Sequence, residues 1–244
     1  MTDPNTQRVA LVTGGAIRVG RAITLALAEA DYDVVISYHS SEVAAQETRE
    51  AVEVRGRRCE TVCADLSLPA SADVVIDAVR TAFGRLDLLV NSAANFDERA
   101  LLDVDAEAWD TVMALNARAP HLLVRAASDL LRAARGSVVN IVDLAAFQPW
   151  TDYPAHSASK AVLAHLTRIQ ARSLAPEIRV NGIAPGAVLA PEGWPPEPWQ
   201  ALAQTTPLQR AGSPEDVAQA VLFLAGAGFV TGQILAVDGG RLLG

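Results

Sequence analysis

The chain is expected to adopt an α/β fold, a doubly wound parallel sheet of seven strands with helices on both faces. Short runs rich in Val, Ile and Leu recur along it, as strands covered on both faces require. Longer amphipathic stretches separate these runs, and strand–helix–strand units of that kind connect right-handedly into a parallel sheet. No repeat or flexible linker interrupts the alternation, so residues 1–244 read as a single domain.

Taken in order, the first strand is Arg8–Thr13, an unbroken apolar run that ends in a glycine-rich turn and leads into a helix over 19–30. A second strand over 33–37 precedes a helical pattern at 42–55, and Cys59–Cys63 forms a third before a helix at 70–83. The fourth and fifth strands, 86–91 and 137–142, flank one long helical pattern spanning 106–131. A helix over 155–174 joins the fifth strand to the sixth, 179–183, and a helix over 214–225 leads to the seventh, 233–237. Residues 185–207 break the pattern with six of the thirteen prolines and with Trp194 and Trp199. The break follows a strand's carboxyl end, where open α/β sheets bind ligands. Residues of about 187–207 are therefore expected to form a short substrate lid, the alternative being a plain surface connector.

Composition narrows the class of partner. Half of the residues are hydrophobic and a fifth charged, and no segment offers the roughly 20 apolar residues of a membrane span. The polar stretch from Met1 to Gln7 has no basic region followed by an apolar run, so a cytoplasmic location is expected. A net charge of −8 without a basic stripe argues against nucleic acid as partner and for a small molecule. Cys59 and Cys63, the only cysteines, are expected as buried thiols rather than a disulfide or metal pair, and no metal site is predicted. Nineteen of the twenty basic residues are arginine, leaving Lys160 as the single lysine. A lone lysine can mark a place where arginine does not serve, although a coding bias explains the composition equally well.

The turn after the first strand reads Thr13-Gly14-Gly15-Ala16-Ile17-Arg18-Val19-Gly20. Glycines there let the backbone approach a pyrophosphate, and the helix N-terminus adds amide donors and a favourable dipole. Here the chain resembles the short-chain dehydrogenase/reductase family, which has a Rossmann-type fold and the pattern T-G-x-x-x-G-x-G. Arg18 replaces the middle glycine, and T-G-x-x-x-R-x-G is the form that the family's pteridine reductases carry. The second strand lacks the terminal acid that binds an NAD ribose. His39, Ser40 and Ser41 follow instead and, with Arg18, suit a 2′-phosphate, so NADPH is the expected cofactor. Helix capping by Ser40 or Ser41 is the plainer reading and is compatible with that one.

The resemblance runs through the whole chain. Asp65 and Leu66 match the pair that holds the adenine, Asn91-Ser92-Ala93-Ala94 resembles the N-N-A-G turn, and Asn116 matches the helix asparagine that supports an active-site water chain. Pro185 and Gly186 fall in the segment that contacts the nicotinamide. Phe96 takes the position from which pteridine reductases stack a ring on the pterin, with a core or lid aromatic as the alternative. Asp143 stands where pteridine reductases place aspartate and most of the family serine, a helix cap being the other reading. The main departure lies in Y-x-x-x-K, whose tyrosine donates the proton while the lysine lowers its pKa. His156 holds the tyrosine position ahead of Lys160, and Tyr153, three residues early, is expected to face elsewhere.

The resemblance thus implies catalytic roles for Asp143, His156, Lys160 and Asn116. It assigns cofactor contacts to Thr13, Gly14, Arg18, Val19, Gly20, His39, Ser40, Ser41, Asp65, Leu66, Asn91, Ser92, Ala93, Lys160, Pro185 and Gly186, and substrate contacts to Phe96, Asp143 and Trp194. The leading expectation is an NADPH-dependent reductase of a C=N or C=O bond in a dihydropteridine, dihydrofolate or related heterocycle. A carbonyl reductase of 3-oxoacyl or sugar type, and an NADPH-binding protein without catalysis, are the alternatives. The family also implies a homo-tetramer, for which Trp109 and the apolar 114–131 stretch are candidates, internal packing being the other account.

Overall fold

The computed structural model describes residues 7–190 and 193–243. Seven parallel strands form one sheet in the order β3-β2-β1-β4-β5-β6-β7. They are β1 Arg8–Thr13, β2 Tyr32–Tyr38, β3 Cys59–Cys63, β4 Leu88–Asn91, β5 Ser137–Ile141, β6 Arg179–Pro185 and β7 Ile234–Val237. The order reverses between β1 and β4, which creates the crevice where ligands of such sheets bind.

Helices cover both faces. On one side α1 (Arg18–Glu29), α2 (Glu42–Val54) and α9 (Pro214–Gly226) pack Ile23, Leu27, Val52, Val217 and Val221 against the sheet. On the other, α3 (Ser71–Phe83), α5 (Ala119–Ala126), α6 (Ser128–Ala134) and α7 (Pro154–Leu174) contribute Val75, Val79, Leu123, Leu131 and Ala171. The central strands are buried end to end, β5 throughout and β1 from Val9 onward. This two-sided burial is what their continuous apolar runs anticipate.

The expected single helix over 106–131 is instead broken into α4 (Ala106–Met113), a widened π-helical turn (Ala114–Arg118), α5 and α6. Pro120 has no N–H to offer the carbonyl four residues earlier, at Asn116, and Ala119 N–H bonds to Ala114 O, five back. β6 also runs two residues past its expected end and so delivers Pro185 directly to the ligand crevice. Between β6 and α9 lies a nine-residue helix, α8 (Pro196–Gln204), within the segment read as a lid; residues 191–192 of that segment lie outside the described residues.

Cys59 is buried, and burial pushes its thiol up to about 12. The expectation of two buried thiols fails at Cys63, which is exposed because β3 ends there, its Sγ donating to the His39 carbonyl at 3.4 Å. Among the described residues no group of three or more His, Cys, Asp or Glu is arranged to hold a metal, and no helix is long and apolar enough to cross a membrane.

Candidate active site

A cavity of about 1160 Å³ lies across the carboxyl ends of the strands. It exceeds the roughly 300–1,000 Å³ of a single small-ligand pocket, and its lining changes from one end to the other. At the β2 and β3 end stand Arg18, His39, Ser40, Ser41, Asp65 and Leu66; at the other stand Phe96, Asp143, His156, Lys160, Pro185, Gly186 and Trp194.

The glycine turn between β1 and α1 is built for close approach. Gly14 has φ +63° and packs on Ala93, while a side chain at Gly20 would collide with the Gly14 carbonyl. The N-terminus of α1 has no side-chain cap and no acidic residue in its first turn, so its amides remain available to an anion. Arg18 itself has φ +52°, which explains why glycine is usual there: an arginine in left-handed backbone costs about 1–2 kcal/mol. Its side chain reaches over the turn, and a guanidinium nitrogen donates to the Ala190 carbonyl at 3.2 Å. Asp65 accepts the Ser67 N–H at 2.9 Å, and hydrogen bonds from Ser67 hold its carboxyl below the usual range.

Three expected contact residues do not line the cavity. Thr13 is buried, and its Oγ1 accepts the N–H groups of Ser92 and Ala93 at 2.9 and 3.0 Å, tying the β4 turn to β1. Asn91 is buried as well, donating to Asn140 Oδ1 at 2.8 Å. Asn116 takes hold of Asn95: Oδ1 accepts Asn95 N–H at 2.9 Å, and Nδ2 donates to Asn95 O and to Ser159 Oγ, both at 3.1 Å. These three shape the walls from behind.

The same Asn95 carbonyl lies 3.1 Å from His156 Nδ1. A carbonyl only accepts, so the hydrogen of this contact sits on Nδ1. Nε2 is buried, has no hydrogen-bond partner among the described residues and stands 3.6 Å from Asp143 Oδ2. Asp143 takes the capping role and also turns toward the imidazole. Its Oδ1 caps the short turn Leu144–Ala146 by accepting Ala145 N–H at 2.9 Å, and its other oxygen faces the imidazole.

Lys160 follows His156 by one helical turn on α7 and is 4% exposed. Its Nζ donates to the Ile141 carbonyl at 2.9 Å. Burial pushes its pKa down to about 8, with the charge of Asp143 acting in the opposite direction.

Phe96 is half exposed, and its ring centroid lies 4.4 Å from His156, 4.3 Å from Tyr153 and 6.2 Å from Trp150. The expectation that Tyr153 faces elsewhere applies only if the helix has already begun there, and α7 begins one residue later. Tyr153 precedes α7 as its N-cap with φ −137°, so helical spacing does not govern it, and its ring lines the cavity. Its hydroxyl donates to Glu98 Oε2 at 2.9 Å, and desolvation together with Glu98 raises its pKa to about 12. Sequence reasoning missed Asn95, Glu98, Trp150 and Arg241, of which all but Asn95 carry no motif; Asn95 lies one residue beyond the recognised turn.

Against known proteins, a family model described as Enoyl-(Acyl carrier protein) reductase matches residues 15–241. The chain belongs to this family of short-chain dehydrogenase/reductases. Among its relatives, Pteridine reductase 1 of Leishmania tarentolae is 35% identical over 100% of this chain and 99% of its own. The 3-oxoacyl-[acyl-carrier-protein] reductase of Synechocystis sp. is 34% identical over 98% of each chain. The crystal structure of angucycline C-6 ketoreductase LanV with bound NADP superposes with a TM-score of 0.91 at 32% identity, covering 98% of this chain and 97% of that one.

Proposed function

We propose that the protein is an NADPH-dependent reductase that delivers hydride to a C=N bond of a flat heterocycle of the pteridine or dihydrofolate kind. NADPH, when bound, supplies the hydride. The glycine turn, the uncapped α1 N-terminus and Arg18 would hold its phosphates, with His39, Ser40 and Ser41 around the 2′-phosphate. Asp65 and Leu66 would bound the adenine, and Ser92, Ala93, Lys160, Pro185 and Gly186 the nicotinamide half.

One observation carries the choice of bond: where the family has a phenol, this chain places His156 Nε2, without a hydrogen-bond partner, beside the carboxylate of Asp143. A carbonyl oxygen gaining hydride needs a strong donor at once, whereas a ring nitrogen is basic enough to take its proton from a weaker site. Asp143 Oδ2, 3.6 Å from Nε2, would receive the N–H of the ring nitrogen once it is protonated, and Lys160 places its positive charge next to Asp143. Phe96 offers a half-exposed ring for a flat substrate, Trp194 lines the facing lid segment, and the relation to a pteridine reductase supports the same assignment.

A carbonyl reductase of the 3-oxoacyl type is the second reading, supported by the similarity to the Synechocystis 3-oxoacyl reductase and to the angucycline ketoreductase. NADPH oxidation with dihydrobiopterin, dihydrofolate and a 3-oxoacyl thioester separates the two: turnover confined to the thioester rejects the first reading.

A further inference from the structure

The reacting end of the cavity combines three features that the reduction of a neutral ring does not require. Phe96, Trp150 and Tyr153 form a continuous aromatic wall with centroids 4.3 to 6.3 Å apart. Glu98, Asp143 and Asp152 line the cavity beside it. Between them, His156 Nε2, on a side chain 3% exposed, stands 3.6 Å from Asp143 Oδ2 with no hydrogen-bond partner among the described residues. The cations at this end are Lys160, whose Nζ is committed to the Ile141 carbonyl, and Arg241, which follows β7 at the sheet edge.

Asp143 Oδ2 is an acceptor at this position, and His156 Nε2 beside it has no hydrogen-bond partner among the described residues. An acceptor next to π faces suits an N–H bearing positive charge, because ring faces attract cations and carboxylates strengthen hydrogen bonds from charged donors. A carbonyl oxygen, itself an acceptor, would meet lone pairs there. We infer that the substrate binds as a cation, a protonated cyclic imine whose iminium N–H donates to Asp143 Oδ2 while its charge rests against the Phe96–Trp150–Tyr153 wall. This deepens the C=N reading and rests on it. The step then balances without an acid from the protein. Hydride adds to the iminium carbon, the C=N π pair becomes the nitrogen lone pair, the N–H proton stays in place, and NADPH leaves as NADP⁺ with a neutral amine. Loss of the family tyrosine is then no handicap, since the substrate brings its own proton.

The test uses the purified chain and has a binding arm independent of turnover. Calorimetry compares protonated tetrahydroisoquinoline with its neutral carbocycle, tetralin, in the native protein, Trp150→Leu and Asp143→Asn. The ammonium should bind at least ten-fold tighter than tetralin, and either substitution should remove most of that margin while NADPH affinity stays within two-fold, which also shows the variants folded. The turnover arm follows NADPH oxidation at mildly acidic pH with 3,4-dihydroisoquinoline, whose protonated form keeps the iminium N–H, and with 1-tetralone, its neutral counterpart. Reduction of the iminium alone is the expected result. Equal binding of ammonium and tetralin, or turnover of the ketone alone, overturns the cation proposal while leaving an NADPH-dependent reductase intact. Absence of NADPH binding would instead overturn the reductase reading and leave the calorimetric comparison to be judged by itself.

Discussion

The backbone carbonyl of Asn95 lies 3.1 Å from His156 Nδ1 and thereby turns Nε2 toward Asp143. The carbonyl is itself held by Asn116, whose amide takes both backbone groups of Asn95 and reaches Ser159. The widened turn after α4 therefore matters to the chemistry through the orientation of an imidazole, although Asn116 touches neither cavity nor ligand.

Replacing Asn116 tests that chain of contacts. Asn116→Ala leaves buried partners on Asn95 and Ser159 unmet, which should lower stability by about 1–3 kcal/mol in urea titration. The ring resonances of His156, followed by NMR, should move with it, and Asn116→Asp, which keeps only the acceptor, should not restore the native spectrum. An unchanged His156 spectrum in both variants would separate the asparagine from the histidine.

Arg18 sits in left-handed backbone and lines the phosphate end of the cavity. Arg18→Gly should therefore leave the fold as stable or slightly more so, while weakening NADPH binding by about 1.5–3 kcal/mol, the worth of a lost charge-assisted hydrogen bond. NADH affinity should not change. A titration in which NADPH and NADH weaken together would show that Arg18 acts on the shape of the turn rather than on a 2′-phosphate.

The lowered pKa of Lys160 has consequences for stability and for binding. Unfolding returns it toward the ordinary value near 10.5, so between pH 8 and 10.5 the unfolded chain holds more protons than the folded one, and stability rises with pH across that window. Relative to Lys160→Met, the native chain should gain on the order of 3 kcal/mol over that range. For cofactor capture the direction is opposite: kcat/KM for NADPH should fall as pH rises through about 8 and the ammonium is lost. A falling limb that persists in Lys160→Met belongs to another group.

Tyr153 reaches the cavity, yet its hydroxyl is bound to Glu98 and its pKa is raised to about 12, the reverse of a tyrosine prepared to give up a proton. Tyr153→Phe should keep kcat within about three-fold and act mainly on KM through the aromatic wall. A hundred-fold loss of kcat would make Tyr153 a displaced substitute for the family's phenol.

The parallel sheet was legible because strands buried on both faces must be apolar throughout, and the glycine turn because Gly14 and Gly20 have no room for side chains. Less visible was the break in the helix over 106–131, since amphipathic periodicity continues across the widened turn and only Pro120 marks it. Motif position also gave no sign that Thr13, Asn91 and Asn116 are buried ties that shape the cavity walls from behind. Tyr153 escaped because helical spacing was applied to a residue that stands one position before the helix. The aromatic wall brings together loops some fifty residues apart, Phe96 with Trp150 and Tyr153, and no local pattern records that meeting.

The central claim is that reduction takes place at the His156–Asp143 pair with Asp143 as the indispensable member. Steady-state NADPH oxidation with a dihydropterin, measured for the native chain, Asp143→Asn, His156→Phe and His156→Tyr, tests it most directly. Asp143→Asn should lose at least a hundred-fold in kcat, His156→Phe about ten-fold, and His156→Tyr should retain pterin turnover while gaining ketone reduction. An inactive His156→Phe beside an active Asp143→Asn would contradict the account and make the histidine a direct replacement for the family tyrosine.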